Sequence, residues 1–280
     1  ISTFNSSSPI IKNTEIYNNN ANRGGGLSFF YNSDIFIDSS FIYNNNADYS
    51  GGGIYCTHSI PIIKNSVIDY NFSLIGGGIT INSDEAPIFT NTIITNNYAS
   101  EAGGGIYVND NNPTIRNLIL ESNSSQLGGG IYLKNSQSEV SNIILNNNEA
   151  NYGGGIFISN SDLILNNFKA YENNALSGAG IFINLYSDII LSNANIFNNN
   201  ASSYGGGIAI EQDSDIKLIY CTIYNNIADI YGAGIYAWEN SNFILINNTI
   251  ADNLSQFGSG ITSLSGSNGL IINTIIWNNY

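Results

Sequence analysis

The sequence predicts an all-β solenoid, a rod in which short parallel β-strands wind in successive coils. Three observations predict it. One asparagine returns every 25 to 27 residues, an apolar residue stands three places before each copy, and a glycine-rich triplet follows all but the last copy by five or six residues. The recurring residues, here called the ladder asparagines, are Asn19, Asn45, Asn71, Asn97, Asn123, Asn148, Asn173, Asn199, Asn226, Asn253 and Asn279. Ten to eleven such coils fill residues 1–280 without a linker, so we expect a single domain.

Each coil contains three short apolar stretches, which we interpret as three strands. In the fourth coil these are residues 103–108, 113–116 and 118–120. They are rich in Ile, Val, Leu and Tyr and are bounded by Asn, Asp and Gly, which is typical of strands. No segment of helical length has an i, i+3, i+4 apolar stripe. Strands of adjacent coils lie about 4.8 Å apart, which predicts a rod about 50 Å long.

The asparagines are expected to stack from coil to coil. A side-chain amide both donates and accepts hydrogen bonds, so amides stacked at the coil spacing can bond to one another as an asparagine ladder. A second column lies six places before the first. It contains Asn13, Asn65, Asn91, Asn117, Asn142, Asn167, Asn193, Asn247 and Asn273, with Ser39 and Tyr220 as interruptions. We interpret both columns, and the glycines at the turns, as structural.

The motif resembles known repeat families. "GGGI" followed by "I-x-x-N-x-A" is similar to the paired GGA[I/L/V] and FxxN motifs of chlamydial polymorphic outer membrane proteins, of the autotransporter adhesin type. It is equally similar to right-handed parallel β-helix repeat proteins of bacterial surfaces, as residues 246–253 and 272–279 illustrate. This chain has Ile or Leu where the chlamydial motif has Phe. The resemblance implies right-handed winding and an extracellular or cell-surface location, but no particular activity, because one fold serves many functions.

Composition excludes two classes of partner. The net charge is −14 with only seven Lys and Arg residues, which argues against binding nucleic acid or anionic membranes. No apolar run is long enough to be a transmembrane segment. The chain starts and stops on repeats without polar caps, so we expect it to be part of a longer protein or to self-associate through its ends.

The sequence argues against catalysis. His58 is the only histidine, and Cys56, two places before it, falls in the inward column, so no Cys-His or Ser-His pair is expected. Cys56 and Cys221 lie six to seven coils apart, too far for a disulfide, and both are expected in the core. The outward position after the glycine triplets, where β-helix hydrolases carry carboxylates, holds no acidic residue.

An aromatic column marks the first candidate site. Tyr107, Tyr132, Phe157 and Phe182 occupy the same outward position on consecutive coils. Tyr55 and Tyr236 share that position on more distant coils, and Trp238 stands beside Tyr236. We expect the four consecutive rings to form an exposed platform that binds sugar rings or a partner protein. Cross-strand stacking that only stabilises the sheet is the alternative.

Two further columns are candidates. Asp162, Asp188 and Asp215 should stack on consecutive coils, with Glu211 and Asp213 nearby, and Ca²⁺ could relieve their repulsion. Ser-Asp turns without a metal are the alternative, and Asp34 at the same position without acidic neighbours favours them. An outward aliphatic strip is either covered by a loop or forms a protein interface. It consists of Val67, Ile93, Ile119 and Ile144.

These observations together predict a non-enzymatic extracellular or cell-surface protein. We expect a rigid stalk or adhesin that presents a repetitive binding face to glycans or protein partners. The first alternative is a structural subunit of an extracellular filament or sheath. The second is a carbohydrate-active protein similar to polysaccharide lyases and hydrolases. No cofactor is expected apart from Ca²⁺ at the three aspartates.

Overall fold

The computed structural model describes residues 1–82 and 86–280, and in these residues it is a parallel β-solenoid of about ten turns without a helix. Each strand pairs in parallel with its counterpart one coil away, at a sequence separation close to the predicted period; Ile106, for example, lies opposite Ile131. The predicted fold class, with three strands per coil, is therefore confirmed.

The first face follows the glycine triplets and is one continuous sheet. In the described residues its strands are Ser2–Thr3, Leu27–Phe30, Ile54–Thr57, Ile79–Asn82, Ile106–Asn109, Ile131–Lys134, Ile156–Ser159, Ile181–Asn184, Ile208–Ile210, Ile235–Ala237 and Ile261–Ser263. The chain enters this face through the first glycine of each triplet, whose φ is positive (+67° at Gly103). That conformation favours glycine.

The second face contains both of the other predicted strands of each coil. Its strands in the described residues are Ile10–Lys12, Glu15–Tyr17, Phe36–Asp38, Phe41–Tyr43, Ile62–Lys64, Val67–Asp69, Ile88–Thr90, Ile93–Thr95, Thr114–Glu121, Glu139–Asn146, Asp162–Tyr171, Asp188–Phe197, Asp215–Ile219, Thr222–Tyr224, Asn242–Ile246, Thr249–Ala251, Gly269–Ile272 and Ile275–Trp277. In four coils the second and third predicted strands join into one continuous strand, as in Thr114–Glu121. The second asparagine column forms the bend between them, with φ of +55° at Asn117. Left-handed backbone explains the preference for Asn there.

The third face begins directly after each ladder asparagine and is absent from the sequence prediction. Its strands in the described residues are Asn20–Arg23, Asn46–Ser50, Phe72–Ile75, Tyr98–Ala102, Asn174–Ser177, Asn200–Tyr204, Ile227–Tyr231 and Leu254–Phe257. Isolated bridges such as Ser124 to Glu149 connect the two halves of this face. Its sequence is polar and irregular, which explains why the strand pattern was missed.

The core is a stack of mainly aliphatic residues that runs from Ile11 to Ile250. Ile68, Ile94 and Leu120, each three places before a ladder asparagine, are completely buried. Both cysteines are free and buried, Cys56 at 0% and Cys221 at 1% exposure, as predicted. At about 25 cal/mol for each Å² of apolar surface removed from water, this stack stabilises the rod along its whole length.

The ladder asparagines form the predicted ladder. From Asn19 to Asn253, each Nδ2 donates to the Oδ1 of the next copy at 2.9–3.1 Å. At most copies Nδ2 also donates to a backbone carbonyl of the preceding coil, as Asn97 does to Ile68 O at 2.9 Å. The amides of Asn45 to Asn253 are buried, whereas Asn19 is exposed. The second column is exposed, but neighbours such as Asn142 and Asn117 still bond at 3.0 Å.

Candidate ligand-binding pocket

The aromatic column forms a continuous ring stack on the outer side of the first face. Ring centroids of Tyr107, Tyr132, Phe157 and Phe182 lie 5.0, 5.1 and 5.2 Å apart, with planes within 10° of parallel. This is the offset-stacking range of aromatic pairs. The geometry of these rings therefore agrees with the alternative interpretation, cross-strand stacking within the sheet.

The expectation that these rings form an exposed platform is wrong. Tyr132, Phe157 and Phe182 are only 8%, 5% and 2% exposed, and Tyr107 is half-buried. The cause is the sharp turn at the first glycine of each triplet, which folds the end of the third-face strand back over the column. Side chains from that strand end, such as Leu127 and Tyr204, pack on the rings. Burial accordingly raises the pKa of the Tyr132 hydroxyl to about 12.

The ring column is interrupted by Thr80, between Tyr55 and Tyr107, and again by Ala209, and the candidate pocket lies beside the second interruption. Ala209 stands in register between Phe182 and Tyr236, so one ring is missing from the stack. Tyr204 leans toward the gap and stacks on Tyr236 at 5.0 Å. The pocket lies beside these two rings and has a volume of about 400 Å³. It is lined by Tyr152, Leu176, Ser177, Ser203, Tyr204, Glu211, Tyr236 and Trp238.

Glu211 and Trp238 reach the pocket because they hold equivalent positions on successive coils. Each follows a first-face strand by one residue, and the Trp238 N–H donates to Ile210 O at 2.9 Å. The Glu211 N–H donates in the same way to Ile183 O, also at 2.9 Å. The strand end thereby fixes both backbones and directs a carboxylate and an indole to one place.

The Glu211 carboxylate has an unusual environment. Within residues 1–82 and 86–280 the ion pairs are Lys64–Asp38 and Arg116–Glu139, so no basic group neutralises Glu211. Burial, and secondarily the negative charge of Glu239, raises the pKa of Glu211 to about 7. Glu211 also raises the pKa of Tyr236, after the larger effect of burial. Perturbed carboxylates of this kind are typical of functional sites.

Glu211 was associated with the aspartate column in the sequence, not with the aromatic residues. The signal that could have identified the pocket is positional. Glu211 and Trp238 occupy the same column, one residue beyond the strands, whereas the outward position at which β-helix hydrolases carry carboxylates lies within the strands. The contribution of Tyr152 and Tyr204 to the pocket could not be predicted, because the sequence pattern does not indicate the third-face strand that they end.

The three aspartates stack in register on the second face, as predicted. Asp162 lies opposite Asp188, and Asp188 opposite Asp215. Burial, followed by the charges of its two neighbours, raises the pKa of Asp188. Asp215 Oδ1 accepts hydrogen bonds from Asn242 N and Nδ2 at 3.0 and 2.9 Å. Among the described residues no group of three His, Cys, Asp or Glu side chains could hold a metal ion, so the geometry gives Ca²⁺ binding no support.

The aliphatic strip faces outward, as predicted from its register. Ile93 is 40% exposed, and Val67, Ile119 and Ile144 are partly exposed. In register, Phe41 extends the strip by one coil and Lys169 ends it.

A wider depression of about 690 Å³ lies further along the second face, between Gln137 and Asn166, but no aromatic ring lines it. Its lining is mostly polar, so a ligand there would find no aromatic face on which to stack.

Comparison with protein-family models identifies the fold family. The model described as "Right handed beta helix region" matches residues 1–117 and 129–280. Comparisons with curated proteins and with solved structures gave no significant match. No helix of the described residues is long and apolar enough to cross a membrane. Since the family model matches most of its length, the chain belongs to the right-handed β-helix family.

Proposed function

We propose that this β-helix is a rigid extracellular or cell-surface binding protein that holds a glycan in the pocket at Glu211 and Trp238. One observation carries the proposal: aromatic rings, two serines and a carboxylate line one concave site of about 400 Å³. Aromatic side chains contact the apolar faces of sugar rings, and a few polar groups fix their orientation. This pocket takes the place of the exposed ring platform that the sequence predicts, because those rings are buried in the structure.

The scaffold supports such a role. The pocket spans several coils, and strand pairing and stacked rings on both sides hold its walls in place. A preformed site loses little conformational entropy when it binds. The repeat resembles that of bacterial surface β-helix proteins, and this resemblance supports the extracellular location.

The experiment is a binding screen against neutral, acidic and amino polysaccharides with matched tryptophan variants. Trp238→Ala removes a pocket wall, whereas Trp277→Ala removes a ring that is 63% exposed and lies outside the pocket. We expect Trp238→Ala to weaken glycan binding at least about ten-fold and Trp277→Ala to leave it unchanged. Equal effects of both variants, or no binding to any glycan, would contradict the proposal.

A variant at the interruption of the ring column tests the location of the site, because a ring at position 209 would displace Tyr204, which lines the pocket. Ala209→Phe supplies the missing ring, and neighbouring coils already combine a ring at this position with a tyrosine five places earlier, as in Tyr152 with Phe157. We expect the variant to fold and to lose binding. Retained affinity in a folded Ala209→Phe protein would locate the ligand elsewhere.

The same carboxylate favours a second candidate function, glycoside hydrolysis. Glycosidases commonly use a pair of carboxyl groups, one with a raised pKa as the general acid. Glu211 has such a pKa, and the charge of Glu239 acts on it. Release of reducing ends from a bound polysaccharide, abolished in Glu211→Gln, would establish an enzyme. Binding without products would favour the adhesin.

A further inference from the structure

We propose that the pocket at Glu211 takes a quaternary ammonium group, the chemistry of choline, as the anchoring part of its ligand. The inference rests on the proposed function because it takes the same pocket as the binding site, and it names the chemical class that this pocket prefers. The argument uses the charge of the pocket, the nature of its walls and its shortage of hydrogen-bonding groups.

The charge of the pocket is negative and uncompensated. Glu211 lines it, and Glu239 lies close enough for its charge to act on Glu211. The residues that line the pocket include no Lys or Arg, and no ion pair to Glu211 occurs in the described parts of the chain. In register along the first face, the basic residue Lys134 is three coils away from Glu211. A cation would supply the missing partner.

The walls are aromatic. Tyr152, Tyr204, Tyr236 and Trp238 all line the pocket. Trp238 is partly exposed, and its ring stacks on no other ring within residues 1–82 and 86–280. Aromatic faces attract cations through their quadrupole, most strongly for Trp, and aromatic cages with this composition recognise quaternary ammonium groups.

The small number of hydrogen-bond acceptors in the pocket determines which kind of cation fits it best. A primary ammonium has three N–H donors to satisfy, whereas a quaternary ammonium has none. Besides Glu211, the non-aromatic polar side chains of the lining are Ser177 and Ser203. A methylated ammonium therefore fits the mostly aromatic lining better than a lysine side chain, because no N–H group is left unsatisfied.

The test compares choline with 3,3-dimethylbutan-1-ol, which has the same shape without the charge, by calorimetric titration at pH 8. We expect the wild-type protein to bind choline at least about ten-fold more tightly than the alcohol. In Glu211→Gln this preference should fall to less than about three-fold, and Trp238→Ala should weaken both ligands. Trp277→Ala is the control and should match the wild type. Equal affinity for the two probes, preference retained in Glu211→Gln, or no choline binding would each overturn the inference.

The pH dependence gives an independent readout. The titratable groups that act on Glu211 or its neighbour Tyr236 are Glu239, Tyr204 and Tyr231. Since Glu211 must ionise to attract a cation, choline binding should weaken about ten-fold between pH 8 and pH 6. Glu211→Gln should abolish this change. A wild-type affinity independent of pH would contradict the role of the carboxylate.

Further probes separate the inference from the proposed function and identify the source of the ligand. Neutral oligosaccharides that bind equally in wild type and Glu211→Gln, with no choline preference, would leave glycan binding standing and overturn the inference. Choline binding without affinity for any glycan would support the inference and overturn the proposed glycan binding. Soluble phosphocholine compared with phosphatidylcholine vesicles distinguishes a soluble or glycan-linked choline from a lipid surface, and either source is consistent with the inference.

Discussion

Replacing one ladder asparagine in the middle of the rod should cost a large share of its stability. Asn148 is completely buried, and its side chain makes four hydrogen bonds. Its Oδ1 accepts from Asn123 N and Nδ2 at 3.0 and 3.1 Å. Its Nδ2 donates to Leu120 O and Asn173 Oδ1 at 2.9 and 3.1 Å. At about 1 kcal/mol for each bond, Asn148→Ala should lower the free energy of unfolding by about 4 kcal/mol.

The adjacent residue provides the matched control. Asn147 is exposed, and its backbone is left-handed with φ of +53°. Asn147→Ala should cost only about 1 kcal/mol, the penalty of placing Ala in that conformation. Urea unfolding followed by far-UV circular dichroism measures both, with the midpoint as readout because long solenoids can depart from two-state behaviour. Equal midpoint shifts in the two variants would refute the claim that the ladder stabilises the rod.

Three other substitutions test the turn, the ring stack and the pocket. Gly153→Ala should cost more than about 1 kcal/mol in urea unfolding, because φ is +67° and a Cβ would lie 2.5 Å from Ile156 O. Phe157→Ala should cost about 3–5 kcal/mol, whereas Phe41→Ala, at a site 50% exposed, should change stability by less than about 0.5 kcal/mol. For Glu211, the folded pKa of about 7 exceeds the ordinary carboxyl pKa of 4.5, so the folded state binds more protons between these pH values and stability falls as pH rises through them. Glu211→Gln should therefore raise the free energy of unfolding at pH 8, by no more than about 3 kcal/mol and less after solvent screening, but not at pH 4.

The sequence predicted those features that repeat in every coil. Asn97 and Ile94 mark positions that recur about ten times, so the period, the ladder and the core column could be identified without coordinates. The side chains that pack over the aromatic column could not be identified in this way. Their packing depends on a backbone reversal at glycine and involves side chains of no common type, such as Ala102, Leu127 and Tyr152. Alternation along a strand predicts which side chains leave the core, but it does not predict what packs on them afterward.

The location of the pocket follows from the same distinction. Where Phe157 and Phe182 repeat, each ring fills the space beside the next, and the column is closed to ligands. Where Ala209 interrupts the series, Tyr204 from the third-face strand end packs on the column and stacks on Tyr236, and the pocket lies beside these two rings. Glu211 occurs on that same coil, and the adjacent coil supplies Trp238. In this rod, repetition builds the scaffold, and a coil that breaks the repeat supplies the candidate site. Its ligand should therefore be recognised by one set of side chains, not by a repeating face.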